Sequence, residues 1–297
     1  MKRALPLCLA CLMSLAACSA QGAVVPAVSP SASQPVETPA VIPALVQSIP
    51  IEAYVSEGTE WDDLSALPQR LVDGQAGLSR YMMEPSATVL LAQLPEKEVA
   101  LYGVWDEEHP EEQSLLRIGE HAWLYDLQWA TPRCYLPQLH SGDFDGDGFE
   151  ELALLFYVGS GTGVSYWTLG IVELDGDAPT LRAVFAHSYE DTLDPYFSCD
   201  YNAEGKEALL SFNNSEPETI DFSDFTPPLP ADAQLVAAVG DIVEYTVEGD
   251  AITVHLGVNL YGDDIPRTCL YPADIEAQVV YDGESFSLFK PTMHPGE

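Results

Sequence analysis

Through most of the chain, apolar residues alternate with polar ones. Trp167, Leu169 and Ile171 alternate with Thr168 and Gly170, and Asp175-Gly176-Asp177 then turns the chain into Leu181, Ala183 and Phe185. Val243, Tyr245 and Val247 line one face, Glu248-Gly249-Asp250 turns, and Ile252, Val254, Leu256 and Val258 return. Ile275, Ala277, Val279 and Tyr281 precede Asp282-Gly283, after which Phe286 and Leu288 repeat the device. A period of two marks a half-buried strand, and Asp-Gly between two such runs is a strong hairpin signal. Upstream, Ala87 to Leu94 and Glu98 to Trp105 read as strands around the Pro95-Glu96-Lys97 turn, and His121 to Trp129 as another. Strands joined by such short turns are antiparallel. Trp61, Leu64, Leu67 and Leu71 follow helical spacing instead, but Pro68 interrupts them, so a short or broken helix is expected there. The strand-helix alternation of a parallel sheet is missing, which argues against a transporter-type solute-binding protein. The pattern predicts a mainly β fold of antiparallel, hairpin-built sheets with one or two short helices.

The N-terminal residues break the pattern. Lys2 and Arg3 precede Ala4 to Ala17, an uncharged run rich in Leu, Ala and Cys. It is shorter than the roughly 20 residues a membrane-spanning helix needs, and has the length of a signal-peptide core. It ends Leu15-Ala16-Ala17-Cys18, which resembles the bacterial lipobox. Cys8 and Cys11 lack that frame. The resemblance implies that residues 1–17 are removed and that Cys18 is diacylated and becomes the mature N-terminus. The protein would then sit outside the cytoplasm on the cell membrane, with lipid as its membrane tether; two or three acyl chains hold stably where one does not. From Ser19 to Pro50, six prolines (26, 30, 35, 39, 43 and 50) punctuate Ala, Val, Ser and Gln. Such a segment favours extended, polyproline-like chain. The expected organisation is therefore a signal peptide over 1–17, a lipidated Cys and tether over 18–50, and a β body over 51–297.

Charge narrows the partners. Of 297 residues, 11 are Lys or Arg and 47 are Asp or Glu, for a net charge of −36. Losing Lys2 and Arg3 gives 9 − 47 = −38 for the mature chain. Nucleic-acid binding needs clustered Lys and Arg and is not expected. Such a surface repels anionic headgroups and attracts divalent cations. Besides Cys18, the mature chain has Cys134, Cys199 and Cys269, an odd number that allows at most one internal disulfide. No Cys-x-x-Cys remains, and no two His are three to five residues apart, so a local zinc site is not expected.

One motif carries chemistry. Residues 143–151 read Asp-Phe-Asp-Gly-Asp-Gly-Phe-Glu-Glu. Carboxylates recur at positions 1, 3 and 5, Gly146 permits the sharp turn, position 7 offers the Phe149 carbonyl, and position 9 is Glu151. Calcium takes six to eight hard oxygens, and a tight loop of alternating inward side chains supplies them. An EF-hand needs a bidentate acid at position 12, but here that residue is Leu154, and the usually aliphatic position 8 is Glu150. The apolar run Leu152 to Tyr157 follows. Over Gln138 to Tyr157 the segment resembles the FG-GAP or VCBS calcium repeats of integrin-like β-propellers. That resemblance implies sheets like propeller blades, and Ca2+ held by the side chains of Asp143, Asp145, Asp147 and Glu151 and the carbonyl of Phe149. The motif occurs once, so a closed propeller is not implied. More loosely, the body resembles bacterial surface lipoproteins in which such a loop precedes a Gly-Ser-Gly-Thr-Gly loop and a hairpin; no activity comes with that likeness.

Other constellations are weaker. Gly159-Ser160-Gly161-Thr162-Gly163 has no following Lys and is not a P-loop. It reads as a hairpin connection, with a small-ligand role beside the metal as the lesser alternative. Ser160 lacks the Gly-x-Ser-x-Gly frame. The six His are scattered; His255 shares an outward face with Thr253, and His140 ends a strand. Acid pairs such as Asp62-Asp63, Glu107-Glu108 and Asp263-Asp264 are expected by chance among 47 acids. Aromatics mostly make core in a β body, with a sugar-binding platform as the alternative. No catalytic residue is assigned. The expectation is a calcium-stabilised, lipid-anchored binding or adhesion protein for a glycan or protein ligand, and not an enzyme. The alternatives are an envelope hydrolase acting on polysaccharide or peptidoglycan, and an accessory or sensing subunit of an envelope complex.

Overall fold

The computed structural model describes residues 45–73, 88–105, 112–129, 133, 135–174, 176, 178–224, 229–262 and 270–296. Every described residue belongs to one compact unit, Ile42–Glu297. Cys18 and its lipobox, most of the tether, Cys134, Cys269, Asp175, Asp177, Glu107-Glu108 and Asp263-Asp264 lie outside the described residues.

The body is mainly β. Its strands are β1 (Ser48–Ile51), β2 (Tyr54–Glu57), β3 (Thr59–Glu60), β4 (Val89–Leu94), β5 (Val99–Val104), β6 (Gln113–Ile118), β7 (His121–Tyr125), β8 (Gln138–Gly142), β9 (Glu151–Gly161), β10 (Val164–Glu173) and β11 (Thr180–Val184). The helix α1 (Ala186–Leu193) follows, then β12 (Phe197–Asn202), β13 (Glu207–Phe212), β14 (Glu218–Asp221), β15 (Val236–Glu248), β16 (Ala251–Tyr261), β17 (Ala273–Tyr281) and β18 (Phe286–Pro295). A ten-stranded sheet has the order β1-β18-β17-β16-β15-β10-β11-β2, with β9 and then β8 branching from β10. A five-stranded sheet runs β3-β7-β6-β5-β4, and a three-stranded sheet runs β12-β13-β14. Among the described residues no propeller is formed, and the strands are not grouped into repeated blades.

The branch at β10 explains the topology. One edge of β10 pairs with β9 from Val164 to Val172. The other edge is shared: Leu169 to Glu173 pair antiparallel with β11, while Ser165 and Tyr166 pair with Ile242 and Val243 of β15. The β10–β15 pairing is parallel, which corrects the expectation of antiparallel sheets. Parallel neighbours need a long crossover, and here α1 and the three-stranded sheet lie between the two strands. At the two ends of the order, β1 and β2 are separated in the chain by Glu52 and Ala53 alone, so the sheet curls until its edges meet at that corner. Pro50 sits in edge strand β1, where its missing N–H costs no ladder bond.

Three apolar clusters follow from this. Ile49, Ala153, Leu155, Ile171, Val254, Ile275 and Leu288 belong to the largest, inside the curl. Leu152, Leu154 and Phe156 point the other way, toward Val89, Leu101, Leu116 and Trp129 of the neighbouring layer. The uninterrupted run Leu152 to Tyr157 is therefore a strand buried on both faces. On the outer side of the five-stranded sheet, Leu67 packs with Leu90, Tyr102 and Leu115, joined by Trp61 and Leu64. The helix expected over Trp61 to Leu71 is a single 3-10 turn, Leu64–Ala66, because Pro68 cannot continue it. Asp63 caps that turn by accepting from the Ser65 N–H at 3.0 Å. Among the described residues the regular helix is α1, whose Ala186, Tyr189 and Leu193 are buried at helical spacing among polar neighbours.

Candidate functional site

The acidic loop joins β8 to β9. Gly142 pairs with Glu151 at the end of the ladder, so the hairpin closes on the residue just before the motif and on the motif's ninth residue. Gly146 and Gly148 have φ values of 79° and 93°, in the left-handed region that glycine enters without strain. Between them the carboxylates fold the backbone onto themselves. Asp143 accepts from the Gly146 N–H at 2.8 Å and the Gly148 N–H at 3.1 Å. Asp145 accepts from the Asp147 N–H at 2.9 Å, and Asp147 from the Phe149 N–H at 2.7 Å. Glu151 accepts from the Phe144 N–H at 2.7 Å. Phe144 is buried and anchors the loop to the main core, whereas the Phe149 ring is 69% exposed.

Asp143, Asp145 and Glu151 form a group that could hold a metal ion: one carboxylate oxygen from each lies within 4.8 Å of the others. A carboxylate has about four lone-pair sites, so the backbone bonds leave each of these groups with capacity to ligate. Hard carboxylate oxygens this close together suit a hard divalent cation. Asp147 stays exposed and outside this group. Glu150 points away and pairs with Lys97 in the β4–β5 turn. Leu154, at position 12, is buried in the layer between sheets and cannot act as an EF-hand ligand.

Glu151 is the electrostatic focus. It is 1% exposed, and its pKa is pushed up to about 7 from 4.5. Burial is the main cause; the Phe144 N–H opposes it, and the charges of Asp145, Glu173 and Asp147 add to the rise. Proton uptake or cation binding would each relieve this crowding.

Two neighbours are invisible to local sequence. Asp250, in the β15–β16 turn, accepts from the Asp143 N–H at 3.0 Å. Gly283, in the β17–β18 turn, lies so close that a Cβ there would stand 3.1 Å from an Asp145 carboxylate oxygen. Both hairpins were legible, but their docking on the loop depends on sheet order. The Gly159–Gly163 loop does not adjoin the motif. It sits at the other end of β9, and ten residue steps at roughly 3.3 Å put it about 30 Å away.

Elsewhere, Cys199 is a half-buried free thiol whose pKa is pushed up to about 11 by burial and the Asp200 charge, so it is a poor nucleophile. His255 lies 3.7 Å from a Glu276 carboxylate oxygen on an outward face. His140 is in β8, with its pKa lowered by burial. No protein-family model, curated protein or solved structure matches the chain.

Proposed function

We propose that the protein is a calcium-stabilised, lipid-anchored extracytoplasmic binding or adhesion protein. The observation that carries the reading is the convergence of Asp143, Asp145 and the buried Glu151 on one point of a tight loop. Its blade-like likeness to FG-GAP and VCBS repeats rests on Gln138 to Tyr157 alone. Calcium is the cation with the right demand for oxygen ligands and tolerance of irregular geometry; magnesium requires a tighter octahedron. The Asp147 side chain and the Phe149 carbonyl complete the proposed ligand set, with Asp250 holding the start of the loop. The ion's role is structural, because it pins the β8–β9 hairpin against two other turns.

Titration calorimetry of the full chain in detergent should show one calcium site with Kd on the order of 10⁻⁴ to 10⁻³ M. Asp145→Ala should abolish the heat while the far-ultraviolet spectrum stays unchanged. Equal heats in the two proteins would remove the site.

The anchor has its own test. Cys18→Ser should yield a protein without acyl mass and with the signal segment uncleaved by the lipoprotein peptidase. A Cys18→Ser protein that still carries acyl chains would overturn the anchor.

A further inference from the structure

At the far end of β9 from the acidic loop, the sheet face opens into an aromatic cleft. We propose that this cleft binds a neutral pyranose unit of a glycan, an inference that rests on the binding-protein reading and supplies its ligand class.

The cleft arises from the branch at β10. A register shift between Tyr166 and Trp167 brings Trp167 opposite Tyr157. Their rings lie 5.1 Å apart, and Tyr135 packs edge-on against Tyr157 at 5.0 Å and stands 6.5 Å from Trp167. Tyr135 remains 44% exposed, and Trp167 is half-buried. Tyr245 adds a fourth ring; its hydroxyl bonds to the Tyr189 hydroxyl at 2.8 Å. The hydroxyl of Tyr166 bonds to Glu190 and Asp241 and takes no part in the lining.

The cavity measures about 330 Å³, within the range of small-molecule sites. Its rim carries Arg133, Gln138, Ser165 and Glu244. The Ser165 hydroxyl donates to Glu244 at 2.9 Å and steadies that carboxylate. Arg donates only, a carboxylate accepts only, and Gln and Ser do both. A pyranose ring matches this set: its C–H faces lie on aromatic rings, and its hydroxyls donate and accept around the edge. An anionic ligand would meet Glu244 and the chain's net charge of −36, and a cationic one would meet Arg133. A neutral polyhydroxylated ring satisfies both.

The test is calorimetry of the full chain in detergent against a panel of neutral hexasaccharides of glucose, mannose and N-acetylglucosamine. At least one should bind saturably, and Tyr135→Ala and Trp167→Ala should each weaken it by about tenfold, as lost ring stacking requires. Tyr135 is exposed, so its variant keeps the fold if Trp167→Ala does not, and Trp167→Phe should recover part of the affinity. Absence of binding across the panel, or binding that survives the Tyr135 and Trp167 variants, overturns the proposal. So does a synthetic Pro- and Tyr-rich peptide that binds in the sugars' place, although that result keeps the binding-protein reading. Asp145→Ala should retain sugar binding, so the calcium site and the cleft stand or fall separately.

Discussion

Trp129→Ala should lower stability by about 3–5 kcal/mol, the largest effect expected of any single substitution in this fold. Trp129 is 1% exposed and lies between the five-stranded sheet and β9 to β11. Its indole N–H donates to the Val104 carbonyl at 3.3 Å. The ring lies directly over Gly103 in β5, where a Cβ would come within 2.3 Å of it. The glycine is thus required by close approach, not by backbone conformation. Truncating the ring leaves a cavity that two rigid sheets cannot close. For a body of this size the loss corresponds to roughly a 10 °C fall in melting temperature. Gly103→Ala in the intact protein should cost about 1–3 kcal/mol through overpacking. In the Trp129→Ala background the same substitution should cost almost nothing, because its obstacle is gone. Thermal or urea denaturation of the four proteins measures that coupling. Strict additivity would mean that the ring and the glycine do not meet.

The layer that Trp129 fills also explains what the sequence could announce. Period-two segments such as Val243 to Val247 and Ile275 to Tyr281 bury one face, so their alternation is printed in the residues and they emerge as strands. Leu152 to Tyr157 shows no alternation because one set of side chains enters the main core and the other meets the five-stranded sheet. Such a run is readable as a strand, but the second sheet behind it is not. The β10–β15 pairing rests on two register partners far apart in the chain, so nothing local could signal it. Helical spacing at Trp61, Leu64 and Leu67 was satisfied by a 3-10 turn laid on a sheet, since residues three apart can share a face there as well. In the candidate metal centre, Asp143, Asp145 and Glu151 were legible because one short loop supplies them all. Asp250, 107 residues further on, becomes a neighbour only once the sheet is assembled.

The raised pKa of Glu151 fixes the sign of a second large effect. The carboxyl titrates near 7 in the folded protein against 4.5 ordinarily. Between those values the folded state holds a proton that the unfolded state has released. This group's stabilising contribution is therefore complete below about pH 4.5, falls as pH rises through the window, and is gone above about pH 7. With chelator present, the wild-type melting temperature should decline across that range. Calcium should reverse the trend. A ligating carboxylate must be deprotonated, so the gain from the metal should be small near about pH 5 and complete near about pH 8. At roughly 100-fold excess over Kd the gain is about 2.7 kcal/mol. Glu151→Gln isolates the group, because the amide keeps the shape and carries no titratable charge. In chelator this variant should lack the Glu151 part of the decline and be more stable than the wild type near about pH 8, and calcium should raise its melting temperature far less. Every other titratable group is common to both proteins and cancels in the difference. Thermal melts of the two proteins across the window, with chelator and with calcium, decide it. Parallel pH profiles for the wild type and Glu151→Gln would show that Glu151 is neither the strained carboxyl nor a ligand.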